Sequence, residues 1–167
     1  MPVPDFAFSV LSRVARRARR SAVVAAAAAI SLSTLVWAAD IEFLSAVDDA
    51  PLDVSTAVDG AKPSDTARKF LATGVNPYAG NADALAAGKE LYNEWCQVCH
   101  LADGSGRMGP SLIDDEIAYP RITTDVGLFE VIFGGAAGAM QPFSRRVTHD
   151  DVLKIMVYVR ELQKNAH

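Results

Sequence analysis

The sequence predicts an all-α protein, because apolar residues recur at helical spacing and no strand pattern of comparable strength is present. Three segments show the spacing clearly, over residues 83–95, 124–133 and 148–162. Each has a polar residue at or near its start that is suited to cap a helix N-terminus. Because these segments share the C-terminal half of the chain, we assign residues 81–167 to a single domain.

The N-terminal segment has the pattern of an export signal. A basic run over residues 13–20 precedes an uncharged apolar stretch over residues 22–36. Val36 and Ala38 occupy the two positions that a signal peptidase reads, so we predict cleavage after Ala38 and a mature chain that begins at Ala39. The alternative is an uncleaved anchor, because the uncharged segment is close to the roughly 20 residues of a spanning helix.

The charge balance limits the partners of the mature chain. Removal of residues 1–38 leaves 11 basic and 19 acidic side chains, a formal charge of −8. An acidic surface disfavours nucleic acid and favours a cationic partner, with simple solubility as the alternative. We expect a periplasmic protein that is a monomer and has no membrane span after cleavage.

Residues 39–80 are acidic and irregular, and they predict an extended N-terminal arm. Pro51, Pro63 and Pro77 interrupt this stretch, and few of its apolar residues are periodic. One short helix is expected within it, with Ser64 as the N-cap and Gly74 as the stop.

The three main helices follow in order. The first covers residues 83–95, with Asn81 or Asp83 as its cap. The second runs from about Thr124 to residue 133 and ends at a glycine pair, residues 134–135. The third begins at Thr148, which forms a capping arrangement with Asp151. It has an apolar stripe consisting of Val152, Ile155, Val159 and Leu162.

The end of the first helix carries the sequence Cys-Gln-Val-Cys-His, residues 96–100. In this C-x-x-C-H pattern, the thiols of Cys96 and Cys99 add to the haem vinyl groups while the His100 imidazole binds the iron. A dithiol redox site normally follows a strand and opens a helix, whereas here a helix precedes the motif. A zinc site needs further paired ligands, which the remaining histidines do not supply. The motif therefore predicts one covalent haem c.

A sixth ligand for the iron must come from later in the chain. The candidates are Met108, Met140, Met156, His149 and His167. Met140 is favoured because it follows a glycine-rich loop, residues 134–138, and precedes Pro142. Met108 follows His100 too closely to reach the opposite haem face comfortably. We expect Met156 to be an ordinary core or surface methionine and His149 to be a turn residue.

Two axial ligands would make the iron an electron relay rather than a catalyst, so we do not expect an enzyme. The Pro110 carbonyl is placed to accept the Nδ1 proton of His100, which would fix the orientation of the ring. A plain turn at Pro110 is the alternative.

Several motifs are typical of known families. Gly88 and Tyr92 precede C-x-x-C-H at the positions where class I cytochromes c pack their first helix against their last, with Tyr158 or Leu162 opposite. The runs Gly106–Leu112, Tyr119–Arg121 and Gly134–Met140 resemble the cytochromes c-L. The resemblance covers about residues 70–162. It implies a class I cytochrome c fold with three or more helices around one haem.

The resemblance also implies partners. Cytochromes c-L accept electrons from periplasmic quinoprotein (PQQ) methanol dehydrogenases, and they pass them to another cytochrome c or a terminal oxidase. In this family the methionine of Gly-Ala-Met is the distal ligand, which again indicates Met140. Both calcium-dependent and lanthanide-dependent dehydrogenases have such partners.

The sequence offers two further candidate sites, one for calcium and one for a haem propionate, and each has an ordinary surface role as its alternative. Some relatives hold calcium near the haem, and Asp114, Asp115 and Glu116 offer oxygens of the kind that calcium prefers; a solvated acidic loop is the alternative. Arg121 is a candidate partner for a haem propionate, with an exposed arginine as the alternative.

Other functions remain open at this point. The chain resembles carriers that could serve another quinoprotein alcohol dehydrogenase or an oxidase. A haem sensor or small peroxidase would need an open sixth site, which Met140 argues against.

Overall fold

The computed structural model describes residues 41–114 and 119–167. Its helices are α1 (Asp65–Thr73), α2 (Ala82–Trp95), α3 (Gln97–His100), α4 (Asp125–Gly134) and α5 (His149–Ala166). Short 3-10 helices cover Val58–Gly60, Pro120–Thr123 and Phe143–Arg145. Within the two described ranges, strand-like pairing is limited to an isolated bridge between Leu44 and Pro51. The all-α prediction is confirmed.

The expected export signal, residues 1–38, lies outside the described residues. Among the helices that the structure describes, none combines the length and the apolar character needed to cross a membrane.

Local side-chain caps explain where the helices begin. Ser64, Asn81 and Thr124 each accept a hydrogen bond from the backbone N–H three residues further on, at 2.9–3.0 Å. Thr148 and Asp151 form a reciprocal capping box at the start of α5. These are caps that the sequence predicted, with Asn81 rather than Asp83 at α2. Gly74 ends α1 in the left-handed conformation, with φ 68°.

Residues 41–80 differ from the extended arm that we expected. They are irregular outside α1 and the 3-10 helix Val58–Gly60, but they pack into the core through Phe43 and Phe70, which are 5% and 0% exposed. The rings of Phe43, Phe70 and Phe129 form a cluster with centroid separations of 4.9–6.1 Å. Aromatic side chains bury a large area each, so two of them hold an aperiodic segment in place.

Helix α2 crosses α5 at close range, which fixes the start of the C-x-x-C-H motif. A Cβ added at Gly88 would lie 2.0 Å from the Lys154 carbonyl oxygen, so only glycine fits there. One turn later, the rings of Tyr92 and Tyr158 meet edge to face with centroids 5.1 Å apart. Of the two partners that the resemblance offered for this contact, Tyr158 meets Tyr92.

His149 is not the turn residue that we expected. It is the first residue of α5 and is buried, with 1% of its surface exposed. Its Nε2 donates to the Val54 carbonyl oxygen at 2.9 Å, and its ring lies 4.9 Å from that of Phe133. The physical reason is the packing of the irregular segment, which brings a backbone acceptor and aromatic surface to the start of α5.

Candidate functional site

A cavity of about 480 Å³ opens between the end of α2, the one-turn helix α3, α4 and α5. Its walls are mainly apolar, with Leu128, Ile132, Ile155 and Val159 on the side of the core. Cavities of this volume are in the range of cofactor sites. Cys96, Cys99, His100 and Met140 all line it.

The C-x-x-C-H motif is held as a single helical turn. The Cys96 carbonyl oxygen accepts hydrogen bonds from the backbone N–H groups of Cys99 and His100, at 3.1 and 3.0 Å. Residues three apart on a helix share a face, so the turn presents both thiols to the same cavity. Cys96 and Cys99 are not joined by a disulfide.

The His100 ring is oriented by the segment that follows the motif. The Pro110 carbonyl oxygen lies 2.9 Å from Nδ1, as the sequence predicted for this contact. A carbonyl can only accept, so Nδ1 carries the proton and Nε2 keeps its lone pair, the form that binds metals. Gly109 packs against the ring face, where an added Cβ would lie 2.7 Å from Cε1.

The Cys96 thiol differs from the attacking thiol of a redox dithiol. Burial raises the pKa of Cys96 to about 12, and the neighbouring Cys99 thiol contributes in the same direction. The attacking thiol of a reactive dithiol needs a lowered pKa, which Cys96 does not have. The described residues also contain no group of three or more His, Cys, Asp or Glu side chains arranged to hold a metal ion.

Only two of the five sixth-ligand candidates line the cavity. Met140 is partly buried and packs against the core, whereas Met108 is 72% exposed. Met156 is a fully buried core residue, as expected, and it does not line the cavity. His149 and His167 are also absent from the walls.

The loop that carries Met140 turns tightly after α4. Ala136 N–H donates to the Met140 carbonyl oxygen at 3.0 Å, and Gly135 and Gly138 have φ values of 80° and 85°. A Cβ at Gly135 would lie 2.8 Å from the same carbonyl oxygen, so the turn requires glycine. A second tie comes from outside the loop, where Ala137 N–H donates to the Tyr119 hydroxyl at 3.0 Å.

Arg121 is not brought to the cavity. Its guanidinium donates to the buried Glu130 at 3.1 Å and pairs with Asp49, and it also reaches the carbonyl oxygens of Leu44 and Ser45. Glu130 in turn accepts the Leu44 N–H at 2.7 Å. Arg121 thus ties the irregular segment to α4. The sequence signal that could have shown this is Glu130, a carboxylate in the middle of the otherwise apolar stretch 126–134.

The exposed residues that line the cavity form its rim. Five are apolar: Val98, Met108, Pro110, Ala137 and Ala139. Three are polar: Glu94, Gln141 and Arg146. Our sequence reasoning missed Arg146, whose guanidinium stacks 5.5 Å from the Trp95 ring and donates to Gln141 at 3.3 Å. No local pattern in the sequence indicates that pairing.

The candidate calcium site is described only in part. Asp114 is exposed, and Asp115 and Glu116 lie outside the described residues.

These side chains fit a covalently bound haem. Two thiols share one helical turn, an adjacent imidazole has its Nδ1 occupied and its Nε2 lone pair available, and a thioether lines the same apolar cavity. Thiol, imidazole and thioether are the donors that hold haem in c-type cytochromes.

Comparison with known proteins gives a consistent result. Residues 83–159 match the family model described as cytochrome c oxidase, cbb3-type, subunit III. The chain is 38% identical over 122 residues to cytochrome c-L of Methylorubrum extorquens, covering 73% of this chain and 62% of that protein. It is 33% identical over 101 residues to the cbb3-type cytochrome c oxidase subunit CcoP of Rubrivivax gelatinosus, covering 59% of this chain and 33% of that protein. The chain thus matches less than two thirds of the length of both relatives.

Solved structures agree in fold. The crystal structure of cytochrome cL from the marine methylotroph Methylophaga aminisulfidivorans is 38% identical, with a TM-score of 0.68, covering 72% of this chain and 80% of that one. Cytochrome cL from Hyphomicrobium denitrificans is 40% identical, with a TM-score of 0.68 and 73% of each chain covered. The predicted class I cytochrome c fold is confirmed, the family implies haem c, and the chain belongs to the cytochrome cL family.

Proposed function

We propose that this chain is a periplasmic monohaem electron carrier that accepts single electrons from a PQQ-dependent methanol dehydrogenase. The observation that carries the proposal is the meeting of Cys96, Cys99, His100 and Met140 at one apolar cavity. Membership of the cytochrome cL family supports the choice of donor. The next acceptor is proposed to be another cytochrome c or a terminal oxidase.

Each residue at the cavity has a distinct role in this proposal. Cys96 and Cys99 would hold one haem through thioether bonds, and the His100 imidazole and the Met140 thioether would bind its iron. Bound haem supplies a one-electron couple at its iron. The His100–Pro110 hydrogen bond holds the ring in a fixed orientation and selects the neutral tautomer with its proton on Nδ1 and its lone pair on Nε2. If His100 and Met140 both bind the iron, oxygen and substrates would have no open site there, which favours electron transfer as the role.

The organisation of the chain follows from the same proposal. Residues 1–38 are a cleaved export signal, residues 39–80 an irregular N-terminal segment, and residues 81–167 the cytochrome c domain. Haem attachment in the periplasm requires export of the unfolded chain. Mass spectrometry of the exported protein should give a mature N-terminus at Ala39 with one haem retained through acid-acetone extraction. Haem lost on extraction would contradict covalent attachment.

The direct test is reduction of the purified holoprotein by a purified methanol dehydrogenase, followed at the haem absorption bands in stopped flow. We expect reduction to depend on methanol and to be first order in each protein. Calcium-loaded and lanthanide-loaded dehydrogenases, run side by side, would identify the class of donor. If neither reduces the protein although dithionite does, the proposed donor is wrong.

A second candidate is a carrier that serves another quinoprotein alcohol dehydrogenase or an oxidase. The observation that favours it is the match of residues 83–159 to an oxidase subunit family. The same stopped-flow experiment with a purified ethanol-oxidising quinoprotein separates the two candidates, because the true donor should reduce the protein far faster at equal concentration.

A haem sensor or small peroxidase is the remaining alternative, and it requires an accessible sixth site. We expect the reduced protein not to bind carbon monoxide at neutral pH, because Met140 is partly buried and held in a tight loop. Binding at neutral pH would favour the sensor or peroxidase.

Calcium at Asp114, Asp115 and Glu116 stays a prediction. The haem potential measured with and without a calcium chelator would test it, since a nearby divalent cation stabilises the reduced, more negative state. An unchanged potential would leave the acidic residues as a solvated loop.

A further inference from the structure

The hydroxyl of Tyr119 is the point at which the Met140 loop is tied to a different part of the chain. It accepts the Ala137 N–H at 3.0 Å, and Tyr119 itself lines the cavity. Ala137 precedes Met140 by three residues, on the outer side of the loop. The contact therefore links the cavity wall to the segment that presents the methionine.

The loop has little else to hold its outer side. Residues 137–139 are exposed, and a Cβ added at Gly138 would meet no atom within 4 Å. The Ala136–Met140 hydrogen bond closes the base of the turn, but it is internal to the loop and moves with it. The Tyr119 hydroxyl belongs to a residue outside the loop. Of the two hydrogen bonds, only the one between Ala137 and Tyr119 therefore resists displacement of the whole turn.

Tyr119 is suited to this role because its own backbone is fixed. It directly precedes the 3-10 helix Pro120–Thr123, and its carbonyl oxygen accepts the Ile122 N–H at 3.0 Å. That helix packs against α4, where an added Cβ at Gly127 would lie 2.0 Å from the Arg121 carbonyl oxygen. The hydroxyl thus extends from a base that is anchored to the core.

We propose that Tyr119 is a positioning residue that holds the loop closed and so keeps the Met140 thioether at the cavity. This inference rests on the proposed assignment of Met140 as the axial ligand. In the Tyr119→Phe variant the aromatic ring remains in the wall while the acceptor for Ala137 is lost. The loop should then open more readily, and an external ligand should displace the thioether at lower concentration.

The test is imidazole binding to the oxidised holoprotein, followed by loss of the sulfur-to-iron charge-transfer band. Imidazole nitrogen replaces the thioether sulfur, and no electron is gained or lost. Loss of one hydrogen bond predicts an imidazole affinity about fivefold higher in Tyr119→Phe than in wild type, the shift expected for ~1 kcal/mol. The dithionite-reduced spectrum should stay unchanged, because the ring and the cavity wall are kept.

The matched control is Tyr78→Phe. The Tyr78 hydroxyl likewise makes one hydrogen bond, as the donor to Asp150 at 2.8 Å, but Tyr78 does not line the cavity. Its loss should lower the free energy of unfolding without changing imidazole affinity. Equal affinity gains in both variants would show that loosening of the fold is the cause, and no gain in Tyr119→Phe would show that the hydroxyl does not restrain the loop. Either outcome overturns the proposal.

Failure of the ligand assignment is a separate outcome. If wild-type protein lacks the sulfur-to-iron band, or if Met140→Ala retains it, then Met140 is not the ligand and the proposed function is at fault. If the band depends on Met140 and Tyr119→Phe still behaves as wild type, only the role of Tyr119 is lost.

Discussion

Replacing Gly109 by alanine should disturb His100 more than any other single methyl group added near the cavity. The new Cβ would lie 2.7, 2.9 and 3.0 Å from Cε1, Nδ1 and Nε2 of the imidazole, whereas ordinary contacts begin near 3.4 Å. The ring must therefore shift by about 0.7 Å, a distance set by the closest of these contacts. Such a shift weakens the 2.9 Å hydrogen bond between Nδ1 and the Pro110 carbonyl oxygen.

The stability effect combines two destabilising contributions and one stabilising contribution. Overpacking beside a held ring costs ~1–3 kcal/mol, and the weakened hydrogen bond costs ~1 kcal/mol. Gly109 has no positive φ, so alanine suits the backbone and restricts the unfolded chain, which returns ~0.4–1 kcal/mol. We expect the free energy of unfolding of the holoprotein to fall by ~2 kcal/mol in urea titration.

The haem potential gives a readout that depends on the hydrogen bond itself. A hydrogen bond from Nδ1 to a carbonyl increases the basicity of the imidazole and favours the oxidised iron, so its loss should raise the potential. A differential effect of ~0.5–1 kcal/mol corresponds to ~20–40 mV for a one-electron couple. Cyclic voltammetry of the variant and wild type at the same pH measures the shift.

Gly80→Ala is the control for this experiment. Gly80 has φ 76° and no atom within 4 Å of an added Cβ, so alanine there adds backbone strain of ~1 kcal/mol without touching the cavity. It should lower stability and leave the potential unchanged. A lowered or unchanged potential in Gly109→Ala would refute the argument that the Pro110 hydrogen bond tunes His100.

Three further predictions follow from the geometry. Met140→Ala should abolish the sulfur-to-iron band and lower the potential, while Met108→Ala should keep the band; the reverse pattern in absorption spectra would move the ligand to Met108. Gly88→Ala should lower the free energy of unfolding by ~2 kcal/mol, because overpacking against Lys154 backbone outweighs the ~1 kcal/mol gain in helix propensity; thermal melts that show equal or greater stability would contradict the tight crossing. Reduction by methanol dehydrogenase should slow as the salt concentration rises, because the Debye length shortens to about 8 Å at physiological salt and screens long-range steering. A reduction rate in stopped flow that does not change with salt would mean that the predicted −8 charge serves solubility.

Short-range signals in the sequence predicted where most of the helices begin, and they predicted the C-x-x-C-H turn with its Pro110 contact. The caps at Ser64, Asn81, Thr124 and Thr148 act on N–H groups three residues away, so the pattern is visible in a few letters. The C-x-x-C-H turn is equally local, and the Pro110 contact lies only ten residues beyond His100. Such interactions depend on chain geometry rather than on how distant segments meet.

Interactions between distant segments could not be predicted in this way. Phe43 lies far in sequence from Phe129, and no periodic pattern marks it as a core residue. The predicted contact of Arg121 with a haem propionate came from its place in a family motif, whereas its guanidinium pairs with the buried Glu130. Burying an unpaired carboxylate in a low-dielectric interior costs several kcal/mol. The fold is therefore more stable when Arg121 pairs with Glu130.

The rim of the cavity and the net charge of the chain would contribute in different ways to association with the proposed donor. Glu94 and Arg146 are the charged side chains of the rim, and their charges cancel. Val98 and Met108 are 62% and 72% exposed, large apolar residues placed at the cavity mouth. The −8 charge predicted for the mature chain would therefore act from elsewhere on the surface, and its long-range field would orient an encounter that the rim then completes by apolar contact. A contact of this kind has few ion pairs to break, which suits an electron carrier that must dissociate quickly after each transfer.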